Sequence, residues 1–259
     1  MEAGLREARA AGRKLLVPYV TGGFPGWERT VEACAQAGAD AIEVGIPFSD
    51  PVMDGPTIQE ASERALAAGA TPQDIVGAMA DLDRGGVPLV VMTYYNIVHR
   101  YGHERFASSL AKAGVAGAIV PDLPYEEVGP WAEAADAAGV ETVLLAAPTG
   151  SDERLARICA RSRGWVYGVG LLGVTGERDA LARSALEMAR RLKATTDKPV
   201  LIGVGVSNPA QAAEVAAVAD GVIVGSALVR RLLDGGGPSA AGAFVAELRA
   251  GLDGTGVDS

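Results

Sequence analysis

Eight short apolar runs, each followed by a helix-like stretch, are the feature that most limits how this 259-residue chain can fold. The runs are Leu15–Val20, Ala41–Ile46, Leu89–Tyr94, Gly117–Val120, Glu141–Ala146, Trp165–Val169, Val200–Val204 and Gly221–Val224. They are rich in β-branched residues, break at Gly or Pro, and give way to Ala-rich segments. Strands that are apolar along nearly their whole length are covered on both faces, as in a parallel sheet dressed with helices. Three helix-to-strand junctions are worded alike: Ala37-Gly38-Ala39, Ala113-Gly114-Val115 and Ala138-Gly139-Val140. A glycine there suits a left-handed helix stop. Eight such units in a chain of this length predict an α/β fold closed into a (β/α)8 TIM barrel rather than an open doubly wound sheet. No linker or shift in composition divides the chain. One domain is therefore expected over residues 1–259, with a short helical segment at 1–13 and a flexible tail at about 253–259.

Charge and composition remove several function classes. A net charge of −9 opposes a nucleic-acid backbone or an anionic membrane surface as the main partner. An anionic small molecule stays open, because backbone N–H groups hold phosphate without lysine. No apolar run approaches a membrane span, and Met1–Ala10 lacks the apolar core of a signal peptide, so a cytoplasmic location is expected. Cys34 and Cys159 fall in Ala-rich helical segments and read as buried free thiols of a reducing compartment.

A barrel puts its chemistry at the C-terminal ends of the strands, in the βα loops. The second run leads into the richest of these: Ile42-Glu43-Val44-Gly45-Ile46-Pro47-Phe48-Ser49-Asp50-Pro51-Val52-Met53-Asp54-Gly55-Pro56-Thr57-Ile58-Gln59. Apolar surroundings should bury Glu43, so its charge needs a purpose or a partner. Period two puts Ala41, Glu43 and Gly45 on one face and Ile42, Val44 and Ile46 on the other. The branched face suits the covering helices; the small face suits the barrel mouth. Glu43 at the strand end and Asp54 on the loop can divide acid and base work if their environments separate their pKa values. The plain alternative is a capping loop with solvated acids.

The last three strand ends carry Gly173-Val174-Thr175-Gly176, Gly203-Val204-Gly205 and Gly225-Ser226. Bare backbone N–H groups at neighbouring loops and helix starts point to a phosphate site, although a single such loop would read as a tight turn. Absences narrow the reaction. Lys14, Lys112, Lys193 and Lys198 are the only lysines, and none ends a strand, which opposes a Schiff base. His99 and His103 read as surface residues rather than metal ligands, and Asp50, Asp54 and Asp122 lack a histidine or tight acid cluster to join. Carboxylate proton transfer on a phosphorylated substrate is what remains.

In wording and order, Pro47-Phe48-Ser49-Asp50-Pro51, Asp54-Gly55-Pro56-Thr57-Ile58-Gln59 and Gly173-Val174-Thr175-Gly176 resemble the tryptophan synthase alpha subunit, and the match runs from about Lys14 to Leu233. The resemblance implies retro-aldol cleavage of indole-3-glycerol phosphate to indole and glyceraldehyde 3-phosphate, with no cofactor in this chain. It implies a beta-subunit partner that uses pyridoxal phosphate, an alpha2-beta2 tetramer, and internal passage of indole. Glu43 falls on the catalytic glutamate and Asp54 on the catalytic aspartate. Gly176, Gly205, Gly225 and Ser226 fall on phosphate-binding positions, Tyr167 on the pocket tyrosine, and Tyr19 on an aromatic position near the indole. Tyr94, Asn96, Asp122 and Thr175 fall on positions that order the closed site. The loop at Asp50–Asp54 and the segment Asp122-Leu123-Pro124 would face the partner, and Gly173–Gly176 would close over substrate. Two residues depart from the family pattern: Gly170 replaces a frequent serine, and Met53 stands where a small residue is usual. Rival readings are a free-standing lyase of the same chemistry, a non-catalytic activating subunit, and another phosphate-binding barrel such as an isomerase.

Overall fold

The fold is taken from a computed structural model that describes the backbone of residues 1–170 and 178–254 and the side chains of 1–170 and 184–254. Eight strands pair in parallel and close in sequence order: β1 (Leu15–Thr21), β2 (Ile42–Gly45), β3 (Leu89–Met92), β4 (Gly117–Ile119), β5 (Glu141–Ala146), β6 (Val166–Val169), β7 (Val200–Gly203) and β8 (Gly221–Val224). Helix α1 (Glu2–Ala10) precedes β1, and α2 (Trp27–Gln36) follows it. After β2 come α3 (Pro56–Ala67) and α4 (Pro72–Ala78); after β3, α5 (Tyr95–Tyr101) and α6 (His103–Lys112). Single helices follow the next four strands: α7 (Gly129–Ala138), α8 (Asp152–Arg161), α9 (Arg178–Thr195) and α10 (Pro209–Ala216). After β8 come α11 (Ser226–Leu233) and α12 (Gly237–Asp253). The expected (β/α)8 barrel is therefore the observed one. Strand β3 ends two residues before the run read from sequence, because Tyr94 already stands as the N-cap of α5.

Alternation along the strands divides the core in two. Leu15, Val17, Ala41, Val90, Ile119, Val143, Trp165, Leu201 and Ile223 fill the barrel, while Leu16, Val20, Ile42, Val44, Val91 and Val166 pack outward under the helices. The face assignment made for β2 from period two holds in full. Leu5 of α1 joins the interior cluster and closes the N-terminal end of the barrel. The backbone N–H of Glu2 donates to Glu141 at 3.0 Å, and Gly164 N–H donates to the Glu2 carboxylate at 3.0 Å. With that end plugged, the opposite mouth is where a ligand can enter.

The charges at the plugged end are paired. Asp220 accepts from Val200 N–H at 2.8 Å and from Lys193 Nζ at 2.7 Å. Asp40 accepts from Leu16 N–H at 2.8 Å and from Arg249 at 3.2 Å. Lys14 and Lys198 donate to backbone carbonyls at this same end, Ala219 at 3.2 Å and Cys159 at 2.8 Å. Both cysteines are buried free thiols, and burial pushes Cys34 up to about 12. Removing the Asp220 carboxylate leaves a buried strand N–H without a partner. Asp220→Ala is expected to lower stability by about 3 kcal/mol in urea unfolding, with the slope against denaturant unchanged. A loss below about 0.5 kcal/mol would show that the clamp is dispensable.

Candidate active site

Strand pairing assembles the mouth. Tyr19 of β1 lies directly opposite Glu43 of β2, and Glu43 lies opposite Val90 of β3. Gly45 has no side chain because the Tyr19 ring occupies the space: a Cβ there would lie 2.5 Å from Tyr19 Cζ and nearer still to its hydroxyl. Glu43 is 1 % exposed, and its Oε2 has no hydrogen-bond partner among the described residues. Burial, reinforced by the nearby Asp54 charge, pushes the Glu43 carboxyl up to about 8. Near neutral pH this side chain holds its proton.

The acid loop is tied down at three points. Ile46 N–H donates to Met92 O at 2.8 Å, Met53 N–H donates to the Tyr94 hydroxyl at 3.0 Å, and Gln59 Nε2 donates to Asp54 O at 2.7 Å. The Tyr94 ring stacks on Phe48 with centroids 5.2 Å apart. Asp54 is half-buried. Burial raises its carboxyl above the usual carboxylate range, and the Tyr94 hydroxyl opposes that rise. Tyr94 itself is pushed up to about 12, chiefly by burial. Burial also raises the Tyr19 and Tyr167 phenols, so both stay neutral and serve as hydrogen-bonding walls.

These groups converge on a cavity of about 450 Å³. Tyr19, Glu43, Asp54 and Tyr167 are among its walls, together with Gly203, Gly205, Gly225 and Ser226. Gly225 is the N-cap of α11, and Ser226 is its first residue, so free N–H groups and the positive end of the helix meet the cavity there. A second cavity of about 300 Å³ adjoins the first and shares Met53, Met92, Tyr167 and Gly203 with it. Its other walls include Ile119, Pro121, Leu145 and Val169, so it is apolar.

The structure thus brings together Tyr19, Glu43, Asp54, Tyr167, Gly205, Gly225 and Ser226, with Tyr94 holding the loop. Asn96 and Asp122 do not line this cavity. Asn96 is exposed on the first turn of α5, and Asp122 accepts from Tyr95 N–H at 2.9 Å, joining the β4 loop to that helix. Thr175 and Gly176 lie outside the described residues. Met92, Ile119 and Leu145 line the apolar cavity and escaped the sequence reading. Their signal is their place: inward positions near the ends of β3, β4 and β5. Of the two histidines, His99 is exposed, whereas His103 is half-buried and hydrogen-bonded to the Tyr95 hydroxyl at 3.1 Å. No group of three His, Cys, Asp or Glu side chains suited to a metal exists among the described residues.

A protonated buried glutamate beside an acid, an apolar chamber, and a helix N-terminus with glycine loops suit acid–base cleavage of a phosphorylated, apolar substrate. Residues 5–245 match the family model described as tryptophan synthase alpha chain. The chain belongs to the tryptophan synthase alpha chain family. It is 48 % identical over 258 residues to the tryptophan synthase alpha chain of Thermobifida fusca, covering 96 % of each chain. It is 50 % identical over 234 residues to that of Streptomyces coelicolor, covering 89 % of this chain and 86 % of the relative. A solved tryptophan synthase of Mycobacterium tuberculosis superposes with a TM-score of 0.89 at 42 % identity, covering 96 % of each chain. As a tryptophan synthase alpha chain, the protein is a carbon–carbon lyase. It cleaves indole-3-glycerol phosphate and carries no cofactor, the pyridoxal phosphate belonging to the beta subunit.

The raised Glu43 carboxyl has a consequence for stability. The unfolded chain ionises this group near its ordinary value of 4.5, and the folded chain near 8. Between those values the folded state binds the extra proton. Its contribution is whole below about pH 4.5 and is lost as pH rises through about 8. Glu43→Gln, which cannot ionise, is expected to melt progressively higher than the parent as pH is raised from 5 to 8. Parallel melting curves across that range would show that Glu43 is ionised in the fold.

Proposed function

We propose that Glu43 is the acid and base of the cleavage and that Asp54 stabilises the charge developing on the indole nitrogen. The single observation that carries this is the burial of Glu43 in the cavity wall with one carboxylate oxygen unpartnered. Protonated Glu43 gives its proton to indole C3, which becomes tetrahedral while the ring nitrogen gains positive character. Asp54 meets that N–H as a carboxylate. The Glu43 carboxylate then takes the proton of the glycerol hydroxyl next to the scissile bond. The C–C bond breaks, its electron pair restores the indole ring, and Glu43 ends protonated as it began. Such proton transfer is typically worth about 10²–10⁴-fold.

The two cavities divide the substrate. The glycerol phosphate lies in the cavity of Glu43 and Asp54, with its phosphate on the backbone of Gly205, Gly225 and Ser226 at the α11 N-terminus. The indole ring lies in the adjoining apolar cavity of Met92, Ile119 and Leu145. By resemblance, Gly176 completes the phosphate side and Thr175 helps to order the closed site. Asp122 acts indirectly by holding the start of α5 beside the mouth, and Asn96 lies on that same first turn. The beta subunit of the family is the partner, and we place this chain in an alpha2-beta2 tetramer in the cytoplasm. No described helix is long and apolar enough to cross a membrane.

Glu43→Gln is expected to lower indole release from indole-3-glycerol phosphate by at least about 10²-fold while still binding glycerol phosphate. Asp54→Asn should lose cleavage in the same way. Parental turnover in Glu43→Gln would remove it from the mechanism. Because the free enzyme must carry the Glu43 proton, kcat/KM should fall as pH rises through about 8. A profile still rising past pH 9 would contradict the assignment. Measuring release with and without the beta subunit separates a coupled subunit, which is accelerated, from a free-standing lyase, which is not.

A further inference from the structure

A third cavity, of about 330 Å³, lies beside the apolar one, and Leu123, Tyr125, Leu144, Leu155 and Ile158 are among its walls. Pro121, Leu145, Ala147 and Val169 border both of these cavities. Met53 borders them too, and it also borders the cavity of Glu43 and Asp54. It is the only described residue that lines all three. Its backbone is fixed through the N–H bond to Tyr94 at 3.0 Å, yet the residue is 37 % exposed and its side chain is not part of the packed core. A long unbranched thioether anchored at its base is suited to fill a junction between chambers and to change rotamer there.

We propose that Met53 is a specificity-determining residue, whose side chain shuts the third cavity off from the indole ring and so excludes substrates carrying groups on the benzo part of that ring. This rests on the placement of indole in the apolar cavity. The apolar cavity, at about 300 Å³, has volume to spare for a bare indole ring, so exclusion depends on position: a methyl or bromo group on the ring edge turned toward the junction meets the Met53 side chain. The space next to it is the third cavity, apolar on the shared side and large enough for such a group. Met53 stands at the junction. Shortening it opens the partition on the Met53 side, with Pro121, Leu145, Ala147 and Val169 left as the rest of the shared wall, whereas an isosteric leucine keeps that side filled.

The test uses the reverse reaction, condensing glyceraldehyde 3-phosphate with indole or with indoles methylated or brominated at positions 4 to 7. The quantity read is the ratio of kcat/KM for indole to kcat/KM for each substituted indole, which cancels any common loss from moving Asp54. Met53→Ala is expected to shrink this ratio by about 10-fold for at least one ring position, the scale on which apolar pockets discriminate small groups. Met53→Val, which also shortens the side chain, should move the ratio the same way, and Met53→Leu should keep the parental ratio. Condensation of indole with unaltered ratios in both Met53→Ala and Met53→Val overturns the proposal alone. A ratio that shrinks equally in Met53→Leu also overturns it, because side-chain reach would not be the cause. Failure of the parental chain to condense indole at all, with the beta subunit present, overturns the reading of the site and the proposal with it.

Discussion

The pairing of β8 with β1 closes the sheet, and the geometry of the mouth depends on it. Gly221 sits opposite Leu15 at that seam. A Cβ at Gly221 would come within 2.7 Å of the Leu15 carbonyl carbon and nearer still to its oxygen, so only glycine lets the first and last strands meet. Closure removes both edges of the sheet and gives the strands a common interior. It also makes neighbours of residues two hundred positions apart: a Cβ on Gly225, after β8, would lie 3.5 Å from Tyr19 Cβ in β1. The glycine-bearing ends of β7 and β8 and the acid-bearing strand share one cavity for this reason.

The two ends of the barrel treat buried acids in opposite ways. At the plugged end, Asp40 and Asp220 each meet a strand N–H and a cationic side chain. Buried charges so satisfied organise strand starts. At the mouth, Glu43 has no cation beside it among the described residues and its charged neighbour is the carboxylate of Asp54, so desolvation decides its state and it keeps its proton. Pairing makes an acid structural; leaving it unpaired in an apolar wall makes it able to give and take protons near neutral pH. Lys14, Lys193 and Lys198 are bound at the plugged end and Lys112 ends α6, so no lysine stands beside Glu43.

The chambers follow the same division. Backbone donors and the start of α11 define a polar side, while β3, β4 and β5 present Met92, Ile119 and Leu145 to an apolar side. The reacting bond of an indole glycerol phosphate joins two parts with those two characters; Tyr167 borders both sides, and Glu43 and Asp54 line the one that also holds the α11 start. The acid loop is rigid at its ends, through Met92 O and Gln59, and at its middle through Tyr94. Asp54 is therefore placed in part by Tyr94, the N-cap of α5 just past the next strand, and not by its own loop alone.

By itself the sequence determined the barrel, because eight apolar runs with helical stretches between them have few other ways to bury both faces. It also determined which face of β2 turns inward, since the side-chain period of a strand is two, and it singled out Glu43 and Asp54 through a long and specific motif. Only the tertiary structure decided which residues share a cavity. It set Asn96 and Asp122 outside it, gave Tyr94 a loop-holding hydroxyl, and made Met53 the common wall of three chambers. The physical reason is that alternation and turn chemistry act between residues close in sequence, whereas a cavity is the space left when distant segments pack. Its lining depends on where strand ends and loops come to rest after the barrel has closed.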